Sequence, residues 1–166
     1  MMQHHFETMA AYNVWANKRL YNAVAELSEE QINKDLGSFF GSIMGTLNHI
    51  LVGDLVWMGR IDNGDRKPES LDAILHTDFA SLREDRQETD GRIAKIISEL
   101  ADQDIAAPLA YQNMAGLKVA DLMSEVLTHV FNHQTHHRGQ CHTMLSQLGK
   151  EAPPLDLIYY IRARED

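Results

Sequence analysis

The chain has 166 residues, 44% of them hydrophobic, and carries 24 acidic against 15 basic residues, a formal charge of -9. That length suits a single domain over residues 1–166, and the acidic balance argues against nucleic acid or an anionic membrane surface as partner, since both call for clusters of Lys and Arg. No apolar run approaches the roughly 20 residues of a bilayer span, one cysteine (Cys141) allows no intrachain disulfide, and MMQHHFETMAAYNVW lacks the basic and apolar parts of a secretory leader, so a cytoplasmic protein is expected.

In chain order, residues 3 to 26 read as a helix with Phe6, Met9, Asn13, Leu20, Tyr21 and Val24 near one face. Ser28 reads as the N-cap of a short turn, SEEQINKD, which Gly37 ends. A second long helix is expected over 40 to 62, its stripe running Phe40, Ile43, Met44, Leu47, Leu51, Leu55, Met58. NGDRKPES is a polar loop, and Asp78 caps a third helix over 79 to 100, whose middle is strongly polar. Residues 102 to 118 read as irregular, with a hairpin-like turn at YQNMAGLKV. The fourth long helix is expected over 119 to 148, with the stripe Leu122, Val126, Val130, His133, His137, Cys141, Met144, Leu148. Gly149 stops it, and LDLIYYIRAR forms a short tail helix. Four amphipathic segments without a convincing strand predict an all-α four-helix bundle. The long connection between the second and third helices permits a crossover.

HVFNHQTHHRGQCH, residues 129 to 142, holds five of the nine histidines. On a helix His133 and His137 project from one face, about 40° apart, the spacing by which one helix gives two ligands to one metal ion. The pattern alone leaves two readings open: a hydrogen-bonded polar seam, or a metal site. Elsewhere, His76 falls in a polar loop and His4 and His5 at the chain start, whereas His49 is central in the second helix. Its face carries Ser42, Gly45, Thr46, Val52, Gly53, Val56 and Trp57, small residues that leave room beside it, or that only permit close helix packing. His49, His133 and His137 are therefore the candidate ligands. Three imidazoles suit a divalent transition metal, zinc or nickel first and iron or copper next, and they leave a coordination position free. Asn48, Thr46, His129 and Gln140 are candidates to hold the ligand rings. Cys141 reads as a small hydrophobe, and Tyr12, Trp15 and Trp57 as core or pocket aromatics. Arg138 reads as solvated or paired with Asp54, and SLREDRQETD as a solvated face.

AYNVWANKRL, SIMGTLNHILVGDLVW, HVFNHQTHHRGQ and the PLDLIYY tail, in that order, resemble the DinB family of DinB/YfiT-like metalloenzymes. The resemblance implies a four-helix bundle holding a divalent metal through one histidine of the second helix and two, spaced by four, of the last long helix. These match His49, His133 and His137. It also implies relatives that are thiol-dependent S-transferases and isomerases, using low-molecular-weight thiols such as bacillithiol or mycothiol as cosubstrate, and frequent pairing through helices.

Two function classes follow. One is a metal-dependent transferase or hydrolase acting on a small molecule, with Trp57 and the room over Gly53 offering an apolar surface to an electrophile. The other is a non-catalytic, stress-related metal or small-ligand binding protein. No HExxH-type glutamate follows either ligand, which disfavours simple hydrolysis. A homodimer is expected from apolar residues beyond one stripe, Val14 with Tyr21 and Ile93 with Ile97.

Overall fold

The computed structural model describes residues 1–64, 66 and 68–164, so Asp65 and Lys67 of the expected NGDRKPES loop lie outside the described residues. The long helices are α1 (Met2–Val24), α3 (Ile43–Asp62), α4 (Phe79–Glu99) and α6 (Met123–Gln147), with short helices α2 (Glu29–Asn33), α5 (Asp102–Ile105) and α7 (Leu157–Ala163). The expected starts have physical causes. Ser28 accepts from the Gln31 amide while the Gln31 side chain accepts from the Ser28 amide, a reciprocal capping box. Ser42 caps α3 through the Gly45 amide at 3.1 Å, and Asp78 caps α4 through the Ser81 amide at 2.8 Å. Phe40 falls just before α3 rather than on its stripe. Gly149, with φ +72°, follows α6 as expected.

The last long helix begins at Met123, four residues after the expected start at 119. Residues Lys118–Leu122 form β2, paired antiparallel with β1 (Pro108–Gln112) in the register Pro108↔Leu122, Ala110↔Ala120, Gln112↔Lys118. Leu122 fits the helical spacing of Val126 and Val130, yet it is 43% exposed at the foot of the hairpin. A short strand feeding directly into a helix leaves no break in the apolar pattern for the eye to find.

Contacts along the four long helices fix their directions. Asn13 and Asn17 of α1 meet Asp90 of α4, and Asn22 meets Arg83, so α1 and α4 are antiparallel. Asp54 meets Arg86 and Asp62 meets Arg92, so α3 and α4 are parallel. Phe6 stacks on Phe131, and Asn13 lies beside Arg138, so α1 and α6 are parallel. The order is up, down, down, up. Two parallel neighbours cannot be joined by a tight turn. The segment 63–78 must return along α3, about 30 Å for its 20 residues. This is the crossover that the long connection permitted.

The core has two apolar clusters. Leu20, Leu47, Leu51, Leu82, Cys141 and Leu145 belong to one, and Phe6, Met58, Ile93, Ile97, Val130 and Phe131 to the other. A polar layer lies between them. Arg86 bonds Asp54 and faces Asp90; Asp90 accepts from Asn13 and Asn17; Arg138 donates to both asparagines and to Gln134; Gln134 donates to Asp54. Two sequence expectations are corrected here. Asp85, Arg86, Thr89 and Asp90 are buried rather than a solvated face, and Arg138 reaches Asn13, Asn17 and Gln134 instead of pairing with Asp54. Buried charges of this kind persist only when every one is matched, so polarity alone misassigned that side of α4.

Tyr12 and Trp15 pack the tail: the Tyr12 hydroxyl donates to the Leu155 carbonyl at 2.7 Å, and both rings pack against Tyr160. Of the residues that suggested a dimer, Tyr21, Ile93 and Ile97 are buried within the chain and Val14 is exposed. Among the described residues no helix is long and apolar enough to cross a membrane.

Candidate metal centre

Antiparallel packing of α3 against α6 brings His49 together with His133 and His137. One ring nitrogen from each lies within 4.8 Å of the others, and the Nε2 atoms of His49 and His133 are 3.0 Å apart. Two nitrogens that each lie 2.0–2.1 Å from one ion are about 2.9–3.4 Å apart in octahedral or tetrahedral geometry, so this pair already has a ligand-like separation. His49 and His137 are buried and His133 half-buried. Among the described residues the group includes no carboxylate and no thiol.

Hydrogen bonds set the direction of the lone pairs. His49 Nδ1 lies 2.7 Å from the Leu71 carbonyl oxygen. A carbonyl only accepts, so Nδ1 carries the proton and Nε2 presents its lone pair inward. His137 Nδ1 lies 2.8 Å from Gln140 Oε1, which likewise places the proton outside and the Nε2 lone pair inside. Gln140 Nε2 then reaches His136 Nε2 at 3.3 Å. Two of the three rings are thus held in the tautomer that a metal requires. Gln140 was foreseen in this role. Asn48 acts one step further out: it bonds the Leu75 and His76 amides and the His76 carbonyl, pinning the crossover whose Leu71 carbonyl orients His49. Among the described residues the Thr46 hydroxyl bonds the Ser42 carbonyl and none of the three rings.

His133 is placed by an absence. A Cβ on Gly53 would lie 2.8 Å from its Cε1 atom. The room over Gly53 is therefore filled by the His133 ring, which corrects the expectation that it is free for substrate. Gly45 has a parallel use. A Cβ there would lie 2.2 Å from the Phe40 carbonyl oxygen, so glycine lets the preceding loop close on α3. Phe40 consequently stacks on His49, ring centroids 3.8 Å apart, and meets His137 edge-on. On the other side Trp57 packs against His129, which lies 5.8 Å from His133.

Burial holds all three imidazoles below the ordinary histidine pKa. For His133 burial and then the neighbouring imidazoles His137, His49, His129 and His136 push it down to about 3. His49 and His137 shift the same way, chiefly through burial. Neutral rings are the form that binds a metal. The residues therefore fit a divalent transition ion: nitrogen donors only, uncharged, with inward lone pairs.

Other candidates fall elsewhere. His129 and His136 are exposed and outside the group. Cys141 is fully buried in the core, and burial pushes its thiol up to about 12, in keeping with a small hydrophobe. His76, set aside as a loop residue, bonds Asp85 at 2.6 Å and helps tie the crossover down. Phe40 and Leu71 had no signal at this site. Their roles come from a loop folded back and from a backbone carbonyl, neither of which side-chain spacing encodes.

The DinB family profile matches residues 1–166. Protein DinB of Bacillus subtilis (strain 168) is 30% identical over 155 residues, covering 90% of this chain and 90% of that protein. Among solved structures, a DinB-like protein from Bacillus cereus ATCC 10987 superposes with a TM-score of 0.60 at 18% identity, covering 84% of this chain and 89% of the other. At that identity the likeness shows the fold.

Proposed function

This chain belongs to the DinB family, and from that premise we propose that it is a metal-dependent enzyme acting on a small molecule, with a thiol-dependent S-transfer as its reaction. His49, His133 and His137 hold one divalent transition ion, zinc or nickel before iron or copper. The observation that carries this reading is the fixed tautomer of two rings, His49 by the Leu71 carbonyl and His137 by Gln140. A merely structural cluster has no need to keep its lone pairs converging.

The ion would supply Lewis acidity, lowering the pKa of a thiol or water that binds it. The protein's own part is binding and exclusion of water. Three protein donors and no fourth among the described residues leave room for an exogenous sulfur. No carboxylate joins the group to act as general base, which favours a nucleophile that ionises without one. Phe40 stacks on His49, and Trp57 packs against His129 beside His133, which together offer aromatic surface for an apolar electrophile. Beyond Trp57, a cavity of about 270 Å³ is lined by residues including Val56, Arg60, Tyr111 and Met114 and can take the rest of a substrate.

The test is to purify the protein without a nickel column, measure its metal, substitute cobalt and add cysteine, glutathione or bacillithiol. A sulfur-to-cobalt charge-transfer band is expected. A cobalt site that shows no band with any thiol removes the S-transfer reading and leaves a non-catalytic metal-binding protein in front.

A further inference from the structure

Arg66 pairs with Asp85, Arg86 with Asp54 and Arg92 with Asp62. Arg60, near the end of α3, has no such partner. Among the described residues it makes no ion pair and no hydrogen bond; its guanidinium lies over two rings instead, 4.4 Å from the Trp57 centroid and 4.6 Å from that of Tyr111. Ring faces attract the cation but leave its in-plane N–H donors without an acceptor. The Tyr111 ring is itself fixed, since its hydroxyl donates to Asp121 at 2.6 Å. Burial pulls the Arg60 pKa below its ordinary value, and Tyr111 offsets only part of this. A guanidinium keeps its proton even so. The charge is therefore partly desolvated and unmatched.

The donors are within reach of a ligand. Arg60 is half-buried, and none of its nitrogens is sealed from the surface. It lines the cavity of about 270 Å³ together with Val56, Pro68, Tyr111 and Met114. Among the lining residues Arg60 is the charged one, a cation in a chain of net charge -9. Gly53, Val56 and Arg60 recur three and four residues apart, so the cavity continues the face of α3 on which the His133 ring rests. Trp57, which meets His129 beside His133, lies on the way. From Gly53 to Arg60 the helix rises roughly 10 Å.

We propose that Arg60 is the specificity residue of the metal site: it holds the carboxylate of an elongated small molecule whose reacting end reaches the three histidines and whose apolar body crosses Trp57. The substrate class is then a long acid, its carboxylate roughly 10 Å from the reacting end. The reacting end rests on the S-transfer reading; the carboxylate end does not depend on it.

The experiment has two arms. In the first, the metal-free full-length protein is titrated with hexanoate and its neutral isostere hexanamide, following backbone amide NMR shifts. Hexanoate should saturate with a Kd of about 1–10 mM, as suits so small a probe. Its shifts should concentrate in residues 56–63 and 110–114. Hexanamide should bind about tenfold more weakly, the worth of one charge-assisted pair. Arg60→Gln should remove that difference and leave hexanamide binding unchanged, and Arg60→Lys should keep a preference of about threefold. In the second arm, the sulfur-to-cobalt band of the cobalt-loaded protein reports the binding of ω-mercaptooctanoate, ω-mercaptooctanol, mercaptoacetate and mercaptoethanol. The long acid should bind about tenfold more tightly than the long alcohol, an advantage lost in Arg60→Gln. The ratio for the short pair, which does not span the gap, should be the same in both proteins. Equal binding of hexanoate and hexanamide, a preference that survives Arg60→Gln, or no saturation with hexanoate would overturn the carboxylate site. A long thiol acid that binds no tighter than the long alcohol would overturn its part in the specificity of the metal site. No band with any thiol removes the S-transfer reading alone, and the hexanoate comparison still decides the Arg60 site.

Discussion

The His133 ring occupies the space that a side chain on Gly53 would need: a Cβ at residue 53 would stand 2.8 Å from His133 Cε1. One helix thus cedes a methyl group so that the other can seat the His133 ring. Gly53→Ala should consequently lower metal affinity by about 10–100-fold, the range for residues that orient ligands. On propensity alone the same change would stabilise α3 by up to about 1 kcal/mol. A chelator competition and a thermal melt on the metal-free protein separate the two effects. Unchanged metal affinity would mean that His133 needs no such seat.

The adjacent pair His136 and His137 gives a second prediction. Only His137 faces His49, 4.5 Å between ring centroids, while His136 is exposed and bonded to Gln140. After dialysis, His133→Ala and His137→Ala should each retain almost no metal, and His136→Ala should retain it. A full His137→Ala site beside an empty His136→Ala site would reverse the assignment.

The polar layer supplies the third. Asp54 accepts from Arg86 and Gln134, all three buried. Asp54→Ala leaves the buried Arg86 with Asp90 alone and Gln134 without its acceptor, and should cost about 3–5 kcal/mol in urea unfolding. A loss no larger than that of a surface substitution would show that the network relaxes around the gap.

These residues also mark what the sequence could and could not display. The three-histidine cluster was legible because its spacing is local: His133 and His137 share a helix face, and His49 stands among small residues. The bundle was legible from the stripes of α1, α3 and α6. The hairpin was half legible, since YQNMAGLKV read as a turn while residues 119–122 were read into the helix whose stripe starts at Leu122. Asp85, Arg86 and Asp90 were illegible as core, because the partners that draw them into the bundle, Arg66, Asp54 and Asn13, lie 19, 32 and 77 residues away. The Leu71 carbonyl was illegible for another reason. A main-chain acceptor has the same chemistry at every residue, and only the path of the crossover selects this one.

That crossover gives the last prediction. Asp85 is buried and takes bonds from Arg66 and from His76 at 2.6 Å, and His76 belongs to the stretch that Asn48 pins near Leu71. Burial pushes the Asp85 carboxyl up, but Arg66 and His76 outweigh it and bring the pKa down to about 2 from 3.8. A carboxyl with a depressed folded pKa stabilises fully above its unfolded value, and that stability is lost as pH falls through the folded one. The window is therefore about pH 4 down to pH 2. Urea midpoints of the metal-free wild type and Asp85→Asn should differ at pH 5 and converge toward pH 2. Above the window, Asp85→Asn should also bind metal more weakly, because the crossover then holds His49 less firmly through the Leu71 carbonyl. A parallel pair of pH curves would show that Asp85 ionisation does not contribute to stability. Unaltered metal affinity at pH 7 would show that the crossover is held without it.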